Sequence, residues 1–296
     1  LKSSFKIVFA MIIWGSLGLF VKNIEMPSME IAFFRAIIAT FILLSIGIIK
    51  KDLNIRNYSK MNLILLMASG IAMGFNWVLL FQAYKFTSIS NATLSYYFAP
   101  VFVVMAAPIV LKEKLSIKKI LSVLVALGGL VLIINNGAGE TLGKGNDFIG
   151  IAYGLSAAVL YATVIFLNKR VVGLTGFERT IVQLAASVVV LIPFVIVRNN
   201  INFSGSNSLI FMIIVGVVHT ALAYILYFSG IKDTEVNTAA MLSYIDPISA
   251  LLLGALVLGE GITIWQICGG VMILGASFFV ELKDLKLKRR KSVVES

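Results

Sequence analysis

The sequence predicts an all-α integral membrane protein, with ten transmembrane helices arranged as two inverted five-helix repeats. Composition is the first ground for this. Of 296 residues, 59% are hydrophobic and only 13% charged, and the mean hydropathy is +0.98; a water-soluble domain carries about 25% charged residues. The second ground is that the apolar residues fall in long blocks, such as 7–21, 31–49, 94–111 and 209–231. At 1.5 Å per residue, about 20 such residues cross the hydrocarbon core of a bilayer. The third is a doubled stretch. Residues 91–113 recur as 238–260, with Tyr97, Pro100 and Glu113 answered by Tyr244, Pro247 and Glu260, each pair 147 positions apart.

Taken in order, the expected spans are 5–22, 29–49, 61–84, 88–111, 116–135, 147–168, 177–197, 207–230, 235–258 and 262–281. The breaks hold turn formers: Pro27, then residues 52–57, 137–145, 173–176 and 199–207. The longest polar break, 135–147, separates a first five-helix repeat (1–137) from a second, inverted one (147–283), and residues 284–296 form a basic tail. Residues 2–22 read as a retained first helix rather than a signal peptide, because no small-x-small cleavage pattern leads into a polar sequence.

The net charge of +11 invites a nucleic-acid partner, but its distribution argues against one. Lys50, Lys51, Arg56 and Lys60 share one loop and Lys112, Lys114, Lys118 and Lys119 another, while Lys283, Lys286, Lys288, Arg289, Arg290 and Lys291 sit in the tail. Cationic loops on one side are the positive-inside pattern, so both termini are expected in the cytoplasm and the chain in the plasma (inner) membrane. The basic tail can also touch anionic lipid. Cys268 is the single cysteine and His219 the single histidine, which leaves no intramolecular disulfide and no Cys/His metal cluster. No cofactor is implied.

The offset of 147 extends beyond the doubled stretch. Trp14 meets Tyr161, Lys22 meets Lys169, Phe81 meets Phe228, Lys85 meets Lys232, Ala92 meets Ala239 and Gly128 meets Gly275, while Glu30 meets Glu178 one residue out of step. Five spans is an odd number, so the halves cross the membrane in opposite senses. That arrangement implies a site near the midplane and two related conformations, one open to each side.

These residues resemble the drug/metabolite transporter superfamily, specifically its EamA-type members. The resemblance is carried by Trp14-Gly15, by Phe33 or Phe34 with Arg35, by the doubled Y-x-x-P segment ending in L-x-E, by Leu127-Gly128-Gly129, and by Gly269-Gly270 with Leu274-Gly275. It covers essentially the whole chain. It implies secondary transport of small metabolites, often amino-acid export, through a central cavity lined by spans 3, 4, 8 and 9 with parts of 1, 2, 6 and 7, and with spans 5 and 10 peripheral.

Polar groups within the membrane are costly and each needs an explanation. Arg35 lies about 9 Å into its span; it can clamp a substrate carboxylate, or snorkel outward or pair with Glu30. Its counterpart, one residue out of step, is Gln183. Asp246 sits mid-span before Pro247 and is answered by Ala99, so the helix architecture does not demand the charge. A carboxylate there suits a coupling proton or a substrate ammonium; the plainer alternative is a bond that holds the kink. His219 can relay protons or be a satisfied structural histidine. Asn76, Trp77, Trp14, Tyr161, Tyr96 and Ser243 stand at mid-span depth and can line a cavity. Tyr97 and Pro100, being repeated, read as scaffold. Glu113 and Glu260 read as interfacial anchors or gates, and the paired glycines as sites of close helix packing.

There is no GxxxxGK[ST], no GxSxG and no HExxH, which excludes the ATP drive and hydrolase chemistries those motifs carry. The expected function is therefore secondary active transport, with export as its direction, of small metabolites such as amino acids by alternating access, with protons as a possible coupling ion. The alternatives are nucleosides, sugars or cationic drugs as substrate, or an intramembrane enzyme or lipid-carrier flippase needing Asp246 and His219 in contact. The sequence does not distinguish a monomer from a dimer.

Overall fold

The structure, a computed structural model, describes residues 3–51, 53, 59–111, 116–136, 144–198, 207–234, 236–276 and 278–279. Glu113 and the basic tail from Lys283 to Lys291 lie outside the described residues. Among those described there is no strand. The helices are α1 (Ser3–Gly15), α2 (Leu17–Lys22), α3 (Ser28–Ile49), α4 (Lys60–Phe86), α5 (Ile89–Tyr96), α6 (Ala99–Leu111), α7 (Ile117–Asn136), α8 (Lys144–Lys169), α9 (Gly176–Arg198), α10 (Ser208–Gly216), a π-helical turn (Val217–Leu222), α11 (Ala223–Ile231), α12 (Val236–Ser243), α13 (Ile245–Leu258) and α14 (Ile264–Ala276).

Local chemistry sets the helix starts. Ser59 and Ser88 accept the backbone N–H groups of Asn62 and Asn91 at the heads of α4 and α5. Thr175 with Glu178, and Thr263 with Gln266, form reciprocal caps at α9 and α14. The two proline segments break where the sequence places the strain: α5 gives way to α6 at Tyr97 and Phe98, just before Pro100, and α12 to α13 at Tyr244, just before Pro247. The short helices α5 and α12 are both eight residues long and begin 147 positions apart.

Among the described residues, seven helical runs are long and apolar enough to cross a membrane: Ser3–Lys22, Ser28–Ile49, Lys60–Phe86, Ile89–Val110, Asp147–Lys169, Gly176–Val197 and Ser208–Ile231. α13 and α14 are apolar but shorter. Polarity is inverted relative to a soluble protein. Phe41, Ile109, Val197 and Leu256 are 74–84% exposed, whereas Arg35, Asn76, Gln183, His219 and Thr220 are buried. An apolar exterior of this extent is stable against lipid, not water.

Helix packing runs in matched pairs. α4 lies along α8 and α9, while α10, the π-helical turn and α11 lie against α3 and α1. α5 and α6 pack on α8, as α12 and α13 pack on α1; α3 meets α9, and α5 meets α13. Small residues allow these approaches. A Cβ on Gly15 would collide with the Ser249 hydroxyl and the Asp246 carbonyl, and one on Gly129 would lie 2.7 Å from the Gly269 carbonyl, bringing α7 and α14 into backbone contact. A polar seam joins α4 to α9: Gln183 Nε2 donates to Ser69 Oγ (2.6 Å), and Ser187 Oγ donates to the Gly70 carbonyl (2.7 Å). Gln183 thus ties α9 to α4.

Candidate functional site

At the centre of the helices lies a cavity of about 420 Å³. Its wall takes Met11 and Trp14 from α1, Leu17 from α2, Arg35 from α3, and Met73, Asn76, Trp77, Leu80 and Tyr84 from one face of α4. Thr93, Tyr96, Tyr97, Ala99 and Pro100 come from the α5–α6 break, Tyr161 from α8, Tyr224 and Tyr227 from α11, and Ser243, Tyr244 and Asp246 from the α12–α13 break. Nine of these twenty residues are Tyr or Trp, so the wall is apolar in body and polar at its tips. α7, α9 and α14 contribute nothing to this lining.

Two charges of opposite sign face this space. Arg35 is 2% exposed. Its Nε donates to Thr220 Oγ1 at 3.0 Å, and its guanidinium carbon stands 4.2 Å from the centre of the Trp77 ring and 5.3 Å from that of Phe81. Nη1 is buried without a hydrogen-bond partner among the described residues. Arg35 neither snorkels nor pairs with Glu30. The wide turn of 217–222 explains the arrangement. There Thr220 Oγ1 donates back five residues to the Val215 carbonyl (2.8 Å), which aims its lone pair at Arg35. The same turn leaves the His219 carbonyl to accept from Trp14 Nε1 (3.0 Å), and the Trp14 ring packs edge-on against Tyr224 and tilted against Tyr227.

Asp246 opens α13 and accepts from the Tyr97 hydroxyl through Oδ2 at 2.7 Å. That bond, through Oδ2, is the one the carboxylate makes among the described residues. Tyr84 lines the same cavity as both charges. Asn76 donates to the Ala157 carbonyl (2.6 Å), Ser243 to the Ala239 carbonyl (3.0 Å), and Tyr96 packs on Tyr161.

The structure thus brings Arg35, Asp246, Asn76, Trp77, Tyr96, Ser243, Trp14 and Tyr161 to one cavity. His219 is the exception to the expected constellation. It is 2% exposed and off the cavity wall, with Nε2 3.0 Å from Ser16 Oγ, Nδ1 toward the Ile214 carbonyl and the ring against Phe20. It shares no hydrogen bond with Asp246, so the pair an intramembrane enzyme would need does not form. Sequence reasoning missed Tyr84, Tyr224, Tyr227 and Thr220, and took Tyr97 for scaffold. A signal existed on α4, where Met73, Asn76, Trp77, Leu80 and Tyr84 follow one helical stripe.

Glu260 occupies a second junction. α13 ends at Gly259, whose φ of 66° is left-handed and turns the chain back. The Glu260 carboxylate then meets Lys22 Nζ (2.8 Å) and the backbone N–H of Ile89 (2.9 and 3.0 Å), capping α5 where it meets α13. This is one of the two glutamates expected as anchors or gates.

The sequence matches the EamA-like transporter family over residues 1–135 and again over 148–282. Among curated proteins it is similar to the "Uncharacterized transporter YxxF" of Bacillus subtilis, with 30% identity covering 90% of this chain and 86% of that one. It is also similar to the "Uncharacterized inner membrane transporter YicL" of Salmonella typhimurium, with 24% identity covering 97% and 98%. A solved crystal structure shares the fold, with a TM-score of 0.64 at 16% identity over 96% of this chain and 98% of that one. An apolar helical exterior, a central cavity lined by Arg35 and Asp246 and a family match over both halves lead to one conclusion: this multi-pass membrane protein belongs to the EamA-like transporter family.

Proposed function

We propose that the chain is a secondary active transporter of small zwitterionic metabolites, amino acids or close relatives, working by alternating access between two inverted five-span halves. One observation carries the reading: a guanidinium with one nitrogen unpartnered among the described residues, and a carboxylate held through Oδ2 by Tyr97, line the same cavity without pairing with each other. Arg35 takes the substrate carboxylate and Asp246 its ammonium or a coupling proton. The cavity volume lies within the range of small-ligand sites, about 300–1,000 Å³.

The two-half reading is supported by the constant sequence offset, by the equal length and register of α5 and α12, and by the exchange of packing partners between halves. In this reading α7, the α12–α13 pair and α14 complete ten spans, and residues 1–137 and 147–283 are the moving bodies. Both termini are cytoplasmic, the membrane is the inner one, as the name of the Salmonella relative has it, and export is the direction.

The aromatic wall around Asp246 supports a second reading, an organic cation as substrate. Reconstitution into liposomes tests both. Counterflow of amino acids under a proton gradient is the expected result. Counterflow of amines alone transfers the proposal to cations, and absence of both ends it.

A further inference from the structure

We propose that Tyr97 is a positioning residue: its hydroxyl fixes the Asp246 carboxylate in the cavity wall and so ties the helix break of one half to the charged group of the other. The inference rests on the reading of Asp246 as the group that meets a substrate's cation, and adds the residue that presents it.

The geometry is specific. Tyr97 ends α5, held by its N–H on the Thr93 carbonyl (2.9 Å), and its ring stands edge-on to Tyr96. Its hydroxyl is 2.7 Å from Asp246 Oδ2, a distance at which a hydrogen bond to a carboxylate is strong. The Asp246 backbone is also fixed: its carbonyl accepts from Ser249 Oγ (2.9 Å) and lies against Gly15 of α1. With one oxygen held and the backbone pinned, Oδ1 is the acceptor left for a cation.

The bond also joins two breaks. Residue 97 is where α5 gives way to α6, and Asp246 stands just beyond the point where α12 gives way to α13. No matching bond can form in the other direction. The counterpart of Tyr97 is Tyr244 and that of Asp246 is Ala99, whose methyl accepts nothing; Tyr244 packs edge-on against Phe278 at 5.3 Å instead. The repeated tyrosine therefore does different work in the two halves. A cation arriving at Oδ1 draws on the charge that the Tyr97 hydroxyl also uses, so occupancy changes the strength of the tie between the breaks.

The test is a double-mutant cycle on the purified full chain, with butylammonium as the probe, potassium as the ionic control and tryptophan fluorescence as the readout. Asp246→Asn weakens butylammonium binding by more than Tyr97→Phe does, with a residual affinity read at high probe concentration. Tyr97→Phe weakens it roughly 10- to 150-fold, the range expected for one hydrogen bond to a charged group. The double variant binds no worse than Asp246→Asn alone. Tyr97→His, which offers an N–H donor, recovers part of the affinity and carries the comparison should Tyr97→Phe not fold. Unchanged binding in Tyr97→Phe, or a loss additive with Asp246→Asn, overturns the role of Tyr97 while leaving Asp246 standing. Absence of wild-type binding, or binding indifferent to Asp246→Asn, overturns the reading of Asp246 itself.

Discussion

Replacing Glu260 with Gln isolates one charge that joins the two halves of the chain. Its carboxylate meets Lys22 Nζ at 2.8 Å and the Ile89 N–H at 2.9 and 3.0 Å, and the two charged side chains are 21% and 11% exposed. Glutamine keeps an oxygen for one N–H but surrenders the charge. A negative charge at a helix N-terminus contributes about 0.3–2 kcal/mol, and a hydrogen bond to a charged group exceeds a neutral one by about 1 kcal/mol. The part-buried pair with Lys22 adds to that. The loss is about 2 kcal/mol, which shifts an equilibrium about thirtyfold. If the α5–α13 junction closes one end of the cavity, Glu260→Gln increases the population open at that end by up to that factor. The assay places cysteine at Thr93, one turn beyond Ile89 on the cavity wall, in a Cys268→Ser background. The rate of labelling by a membrane-impermeant maleimide, from the face where α5 begins, reads the opening. Lys22→Met gives a smaller increase, because the cap on Ile89 remains. Unchanged labelling together with a lower melting temperature would make Glu260 a helix cap and refute the gate.

The remaining predictions concern the wall and its supports. Arg35→Ala raises KM for carboxylate substrates about 10- to 150-fold, the range for a charged hydrogen bond, and leaves the matching methyl esters unaffected; an equal loss for both in liposome competition marks Arg35 as structural. Trp14→Phe strands the buried His219 carbonyl at a cost of about 1–3 kcal/mol, seen as a lower melting temperature, and an unchanged melting temperature means that another donor serves the carbonyl. Gly129→Val forces α7 off α14, because even a Cβ there lies 2.7 Å from the Gly269 carbonyl. Overpacking of this kind costs about 1–3 kcal/mol, and wild-type thermal stability would argue against the close approach.

Much of the helix pattern was legible because hydrocarbon imposes a coarse rule, an apolar run of fixed length, that survives errors of a few residues. The breaks at 97 and 244 were legible because proline removes a donor whatever surrounds it. The cavity residues were legible where polarity at mid-span is expensive, as for Arg35, Asn76 and Asp246. Tyrosine and tryptophan carry no such signal, since their rings suit lipid, core and cavity alike, and Tyr84, Tyr224 and Tyr227 were accordingly missed. His219 and Thr220 were hidden for another reason. One widened turn decides which way each polar group points, and it has no mark in the sequence. The turn gives the Thr220 oxygen to Arg35 and keeps the imidazole on Ser16, the satisfied structural histidine that is one of the two readings of position 219.

Repetition in the sequence proved a poor guide to task. Tyr97 and Tyr244 are identical at the same offset, yet one holds Asp246 and the other packs on Phe278. Arg35 and Gln183 occupy answering positions, yet one faces the cavity and the other is spent on Ser69 between α4 and α9. The physical reason is that a repeat constrains the backbone, through breaks, glycine contacts and helix lengths, far more tightly than it constrains the end of a long side chain. A site alike on both sides could not tell the two ends of a zwitterion apart. Placing the guanidinium on α3 and the carboxylate on α13 gives the cavity a direction that the backbone repeat lacks. An Arg35→Gln, Gln183→Arg exchange is therefore expected to abolish substrate discrimination rather than relocate it, because position 183 faces Ser69 and not the cavity. Restored discrimination in the exchanged protein, measured by counterflow of an amino acid against its methyl ester, would show that the backbone repeat alone sets the polarity of the site.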